Sequence, residues 1–248
     1  MNDELLRQHD AHVTRLTLNR AQKANALSAP LVEALLDAVE YAATDGTRLL
    51  ILEGAGPHFC AGFDFSDVQA QSEGDLVLRF IRIETLLQAL YHAPFETLAL
   101  AHGRVFGAGA DIVASCSQRV AAPDTTFRMP GLRFGVVLGT RRLAYRVGSD
   151  RAREILGTSR TFSSDEALAG GFLTAVAPQA DWPGIVGAAQ SAAETLAPAA
   201  AAALRRRTVT DSRAPPSAPS GPPGPAGIPA RRSPRSSRRL LEINLRST

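Results

Sequence analysis

The chain has 248 residues, 45% of them apolar and 21% charged, enough for one medium-sized globular domain with its own core. It has no run of about 18 apolar residues, and "MNDELLRQHD" shows no basic segment leading into an apolar one. The expectations are therefore no membrane span, no secretory signal and a cytoplasmic location. The net charge of +3 is unevenly spread, with 17 basic against 22 acidic residues in 1–204 and ten Arg against Asp211 and Glu242 in 205–248.

The first predicted element is a strand in "HVTRLTL", where apolar and polar residues alternate; "NRAQKANAL" interrupts it. Ser28 is a predicted N-cap, and Leu31, Leu35, Ala38, Val39 and Ala42 recur at helical spacing until Asp45-Gly46. "RLLILEG" reads as a buried strand followed by the glycine-rich loop "GAGPHFCAG". A second helix is predicted over about Asp75 to His92, then the apolar strand "ETLALAHG", a second loop "GRVFGAGADIVAS" and a short helix. Further pieces follow: strands in "RVAA", "TTFRMP" and "FLTAVAP", short helices over Thr140 to Val147, Asp150 to Leu156 and Asp165 to Ala169, and a long Ala-rich helix from about Trp182. Strands alternating with helices predict an α/β layered fold with mostly parallel pairing.

Several chemistries are disfavoured. Lys23 is the only lysine and lacks the setting of a Walker phosphate loop or a Schiff base. "GAGADI" and "GAGPHF" lack the complete dinucleotide-binding fingerprint, and no G-x-S-x-G occurs. Cys60 and Cys116 have no metal-ligand or redox spacing and read as small buried hydrophobes; no metal site is expected.

The two glycine-rich loops are read together. Each follows a buried strand and is expected to precede a helix, with small residues that allow a ligand close to main-chain N–H groups. Two such groups converging on one carbonyl oxygen form an oxyanion hole, and a helix starting near Gly109 adds its positive dipole end. Purely structural turns are the alternative for each loop taken alone.

"TLNRAQKANALS", "GPHFCAGFDFSDV", "AHGRVFGAGADIVASCSQRVAAPDTTFRMPGLRFGVVLG" and "LGTSRTFSSDEALAGGFLTAVAP" resemble, in order, the motifs of the crotonase (enoyl-CoA hydratase/isomerase) superfamily over about residues 12–207. The resemblance implies a spiral of β-β-α turns with a C-terminal helical region and a homotrimer or dimer of trimers. The substrate it implies is an acyl-CoA or enoyl-CoA thioester, whose coenzyme A is part of the substrate, with no prosthetic group. It also implies oxyanion donors at the backbone N–H groups of Phe63 and Ala108, which follow Gly62 and Gly107, two glycines that it assigns to the coenzyme A-binding set. Lys23, Ala24, Ala26 and Ala61 would border the coenzyme A pocket, although Lys23 also fits a solvated surface position.

The sequence departs from the hydratase pattern. The two positions where hydratases of the superfamily carry glutamates hold Asp111 and Gly131, so the second carboxylate is missing. Hydration makes two proton demands, which a pair of carboxylates meets well. Three roles stay open for Asp111: sole base in a proton shuttle between carbons, partner of a water or of Glu84 or Asp67 in hydration, or a carboxylate that only favours a helix N-terminus. Asp64 and Asp67 are assigned that last role. Arg128, Arg133 and Arg141 could enter the pocket as electrostatic partners, although each is read first as a surface residue, and His58 and His102 are read as structural or solvent-facing. The alternative for the whole protein is a catalytically impaired acyl-CoA-binding protein of the same fold.

Residues 1–204 are taken as the acyl-CoA domain and 205–248 as a Pro/Arg-rich disordered tail. From Arg213 onward the chain holds eight of its sixteen prolines and cannot build a core. Either it is an arm that attracts phosphates, or it is an out-of-frame translation of GC-rich DNA. The second is preferred, and no nucleic-acid partner is expected.

Overall fold

The structure is a computed structural model that describes residues 3–209. Its larger sheet has six strands: β1 (Leu5–Asp10), β2 (Val13–Leu18), β3 (Leu49–Gly54), β4 (Glu96–Ala101), β6 (Gln118–Ala121) and β9 (Ala175–Val176), in the order β1-β2-β3-β4-β6-β9. All neighbours pair in parallel except β1 with β2. A smaller sheet joins β5 (Arg104–Phe106), β7 (Thr126–Arg128) and β8 (Thr161–Ser163).

The large sheet is covered on both faces, which is why its central strands are apolar runs rather than alternations. Leu50 and Leu52 pack with α1 (Ala29–Ala42) and α2 (Glu73–Tyr91), whereas Leu49 and Ile51 join Leu98, Leu100 and α7 (Trp182–Thr195) on the other side. Each such fully buried side chain contributes about 1.5–3 kcal/mol. Helix α1 begins as expected, with Ser28 Oγ accepting the Leu31 N–H. Helix α2 starts two residues earlier than expected, because Ser72 and Asp75 form a reciprocal capping box.

The expected β-β-α turns are visible in the chain path. From β4 the chain crosses to β5 in the small sheet and enters α3 (Ala108–Ser115); from β6 it crosses to β7 and proceeds to α4 (Thr140–Val147) and α5 (Ser149–Thr158). After β3 it likewise touches the small sheet at the isolated bridge Cys60↔Val105 before reaching α2. Short α6 (Ser164–Ala169) precedes β9.

Three sequence expectations need correction. No α-helix follows the first loop directly: Asp64 pairs with Arg20 at 2.9 Å and accepts the Ser66 N–H, and only a 3-10 turn, Val68–Ala70, follows Asp67. Neither aspartate serves an α-helix dipole. The Ala-rich helix is two helices, α7 and α8 (Pro198–Thr208), because proline cannot donate the backbone hydrogen bond that a continuous helix needs there. Helix α8 also runs on to Thr208, past position 205 where the tail was expected to begin. Its buried Arg205 donates to Ala93 O at 2.9 Å and to Glu96 Oε1 at 3.1 Å. The segment from Arg213, read as a tail, lies outside the described residues. Among those described, no helix is long and apolar enough to cross a membrane.

Candidate active site

The site grows from the start of α3. Gly107 has φ 51° and ψ −125°, a conformation that side chains disfavour; it turns the chain from β5 into the helix while its N–H donates to Arg128 O at 2.8 Å. All eight residues of α3 are buried, and Asp111 is their one charged side chain. Gly109 brings the helix against the first loop, since a Cβ there would stand 2.5 Å from Cys60 O.

The first loop reaches the same point from the other side. Gly62, at φ +91°, lies so close that a Cβ would be 2.6 Å from Phe106 O and 3.2 Å from Ala108 N. Phe63 bridges to Leu27 through Leu27 N–H to Gly62 O and Asp64 N–H to Leu27 O, a pattern that leaves the Phe63 N–H out of the ladder. Ala108 is the first residue of α3, so its N–H has no intrahelical acceptor. The Phe63 ring is held by stacking on Phe80 at 4.6 Å and by Arg79, whose guanidinium lies 4.0 Å from the ring centroid.

Phe63, Ala61, Gly107, Ala108, Asp111 and Gly131 all line one pocket, whose other walls are mostly apolar, including Phe65, Phe80, Ile83, Met129, Phe134 and Leu156. Asp111 is the only titratable side chain among its lining residues. It is 5% exposed, and its Oδ1 has no hydrogen-bond partner among the described residues. Burial pushes the carboxyl up to about 7; Arg142 opposes this rise and Glu84 adds to it. Gly139 abuts the same carboxylate, because a Cβ at that position would be 1.6 Å from Oδ1.

Other expectations fare differently. Arg128 and Arg133 turn away to Ser159 O and Thr158 O, and neither they nor Arg141 lines the pocket. The arginine that matters electrostatically is Arg142, one position beyond the expected set and 3% exposed. Lys23 is exposed, and Lys23, Ala24 and Ala26 sit outside the pocket wall, although Ala61 N–H donates to Ala24 O at 2.9 Å. His58 Nδ1 accepts the Arg104 N–H and His102 Nε2 bonds Gly56 O, both structural contacts. Both cysteines are buried and free, their thiols pushed up to about 12 by burial.

The family model for enoyl-CoA hydratase/isomerase matches residues 8–217. The chain belongs to that family. A Mycobacterium leprae protein described as a probable enoyl-CoA hydratase is 34% identical over 177 residues, covering 68% of this chain and 69% of its own. A solved structure from Bordetella parapertussis, described as an enoyl-CoA hydratase/isomerase, is 51% identical with a TM-score of 0.83, covering 84% of this chain and 87% of that one. An enoyl-CoA hydratase structure from Thermobifida fusca, in complex with CoA, is 25% identical with a TM-score of 0.75, covering 82% and 83%. The fold is thus the crotonase fold, as the motif order implied.

Proposed function

We propose that the protein isomerises enoyl-CoA thioesters through an enolate, with Asp111 as its sole acid/base. The observation that carries this reading is the isolation of Asp111: one buried carboxylate, its Oδ1 without a partner among the described residues, in a mostly apolar pocket. Hydration would call for a second carboxylate. Gly131 stands where the family resemblance puts it, and neither Glu84 nor Asp67 lines the pocket.

In this scheme Asp111 takes a proton from C2 of a 3-enoyl thioester. The C2–H electrons move into the thioester carbonyl to give a dienolate, whose oxygen accepts hydrogen bonds from the N–H groups of Phe63 and Ala108. Returning the proton to C4 yields the conjugated 2-enoyl thioester. A donor of this kind supplies about 2.7–4 kcal/mol to the transition state, and the N-terminus of α3 adds to the field. A carboxyl near 7 can both take and return a proton at neutral pH. The apolar walls suit a hydrocarbon acyl chain.

The coenzyme A moiety is assigned to the side of the first loop, with Lys23, Ala24 and Ala26 bordering it along with Ala61 and no prosthetic group involved. Ala61 N–H to Ala24 O fastens these segments together. The same reading takes the enzyme as a cytoplasmic homotrimer or dimer of trimers in fatty acid metabolism. Asp111→Asn tests it: turnover falls at least about 100-fold while acyl-CoA binding persists. Unchanged turnover contradicts the assignment. Acyl-CoA binding without turnover in the parent protein would point instead to an acyl-CoA carrier.

A further inference from the structure

Two buried polar atoms beside the pocket lack hydrogen-bond partners among the described residues and are chemically complementary: Asp111 Oδ1, an acceptor, and Arg142 Nε, a donor. Arg142 lies on α4, three residues after Gly139, which abuts the Asp111 carboxylate. Its guanidinium nevertheless grips Glu84 of α2, with Nη1 to Oε1 at 3.1 Å and Nη2 to Oε2 at 2.5 Å.

The two partners act on Asp111 with opposite signs. They also come from different helices, a cation on α4 and an anion on α2, and both helices pack against α3. Arg133, on the 3-10 turn that follows Pro130, is directed to Thr158 O instead, and α3 has no other charged residue. An arginine paired directly with Asp111 would hold it as an anion of low basicity. Such a carboxylate would be a poor proton shuttle.

We propose that the Arg142–Glu84 pair is a positioning device for the reaction, in which Glu84 occupies the guanidinium fork and keeps Arg142 from forming an ion pair with Asp111. The pair thereby governs how firmly Asp111 holds its proton. Its catalytic meaning rests on Asp111 being the acid/base; its electrostatic content does not.

The test is a ¹³C carboxyl titration of the full chain, with the Asp111 resonance identified by its loss in Asp111→Asn, run beside the pH profile of 3-enoyl-CoA turnover. Glu84→Gln frees the guanidinium and moves the Asp111 midpoint down by about one pH unit, and the ascending limb of kcat/KM moves with it. Arg142→Met moves both upward, and the double variant lies closer to the parent than either single variant. Glu84 is about a third exposed, at 31%, so its Gln variant carries the test alone if Arg142→Met does not fold. An unmoved Asp111 midpoint in Glu84→Gln, with only a loss of thermal stability, overturns the proposal and leaves the pair a helix tie. A midpoint that moves in a protein whose turnover ignores Asp111→Asn upholds the electrostatic link and removes the catalytic reading instead.

Discussion

Asp111 occupies a buried place where an ionised carboxylate is costly. Its pKa of about 7 in the folded chain stands above the ordinary 3.8, so the folded state keeps a proton that the unfolded state releases between those values. Stability from this group therefore falls as pH rises through that window, by an amount of the order of a few kcal/mol. Asp111→Asn removes the penalty, so urea denaturation should show the variant gaining on the parent as pH rises from about 4 to about 7. A stability difference independent of pH would contradict the buried, protonated carboxyl. Under the proposed role Asp111 must be unprotonated to act as base, so kcat/KM for 3-enoyl-CoA should rise with pH through about 7 and then level. Gly139→Ala pushes a methyl against Oδ1 and should lower kcat about 100-fold with a smaller change in KM, as steady-state kinetics would show. Asp111 was legible in the sequence because it stands at a carboxylate position of the motif that "AGADIVAS" resembles, although a helix-dipole role was also open there. Gly139 and Arg142 were not, and Glu84 was named only as a hydration partner, since the relation of all three to Asp111 exists only once α2 and α4 pack beside α3.

At the scale of elements, the two glycine-rich loops act as one unit because each glycine makes room for the other loop's backbone. Gly109→Ala would set a methyl 2.5 Å from Cys60 O, and Gly62→Ala would add strain at φ +91° to a clash with Phe106 O. Each should cost about 1–3 kcal/mol in thermal or urea unfolding and should depress turnover more than acyl-CoA binding. Equal activity in Gly62→Ala would mean that the close approach of the loops is dispensable. The buried strands and the capped helix α1 were readable from apolar runs and from Ser28. Strand β1 was not, because five of its six residues are exposed and carry no alternation. The three-residue strands β5 and β8 are too short for any period to register. A helix was expected after Phe63 because acidic residues cluster there, but Asp64 is taken by Arg20 and Ser66.

Over the described residues as a whole, the large sheet separates the side that carries the pocket from a bracing side. Helices α1, α2 and α3 contribute to the core on the face that supports the pocket, and α7 closes the other with Ala189 and Ala193 against Leu49, Ile51 and Leu98. Arg205 ties α8 back to the loop before β4, so Arg205→Ala should lower stability by about 1–3 kcal/mol, read by urea denaturation, while leaving the Asp111 pH profile in place. The α/β class and the motif order were legible over most of the chain; the place of Arg205 in helix α8 was not, because "LRRRTVTDS" looks like the start of a basic tail until Arg205 is seen buried. The central claim is that one carboxylate and two backbone donors perform proton transfer between carbons rather than addition of water. The most direct measurement compares turnover of a 3-enoyl-CoA and of crotonyl-CoA by the purified protein. Conversion of the 3-enoyl thioester to its conjugated isomer, with crotonyl-CoA hydrated at least about 100-fold more slowly, is the predicted result. Efficient hydration of crotonyl-CoA without isomerisation would contradict it.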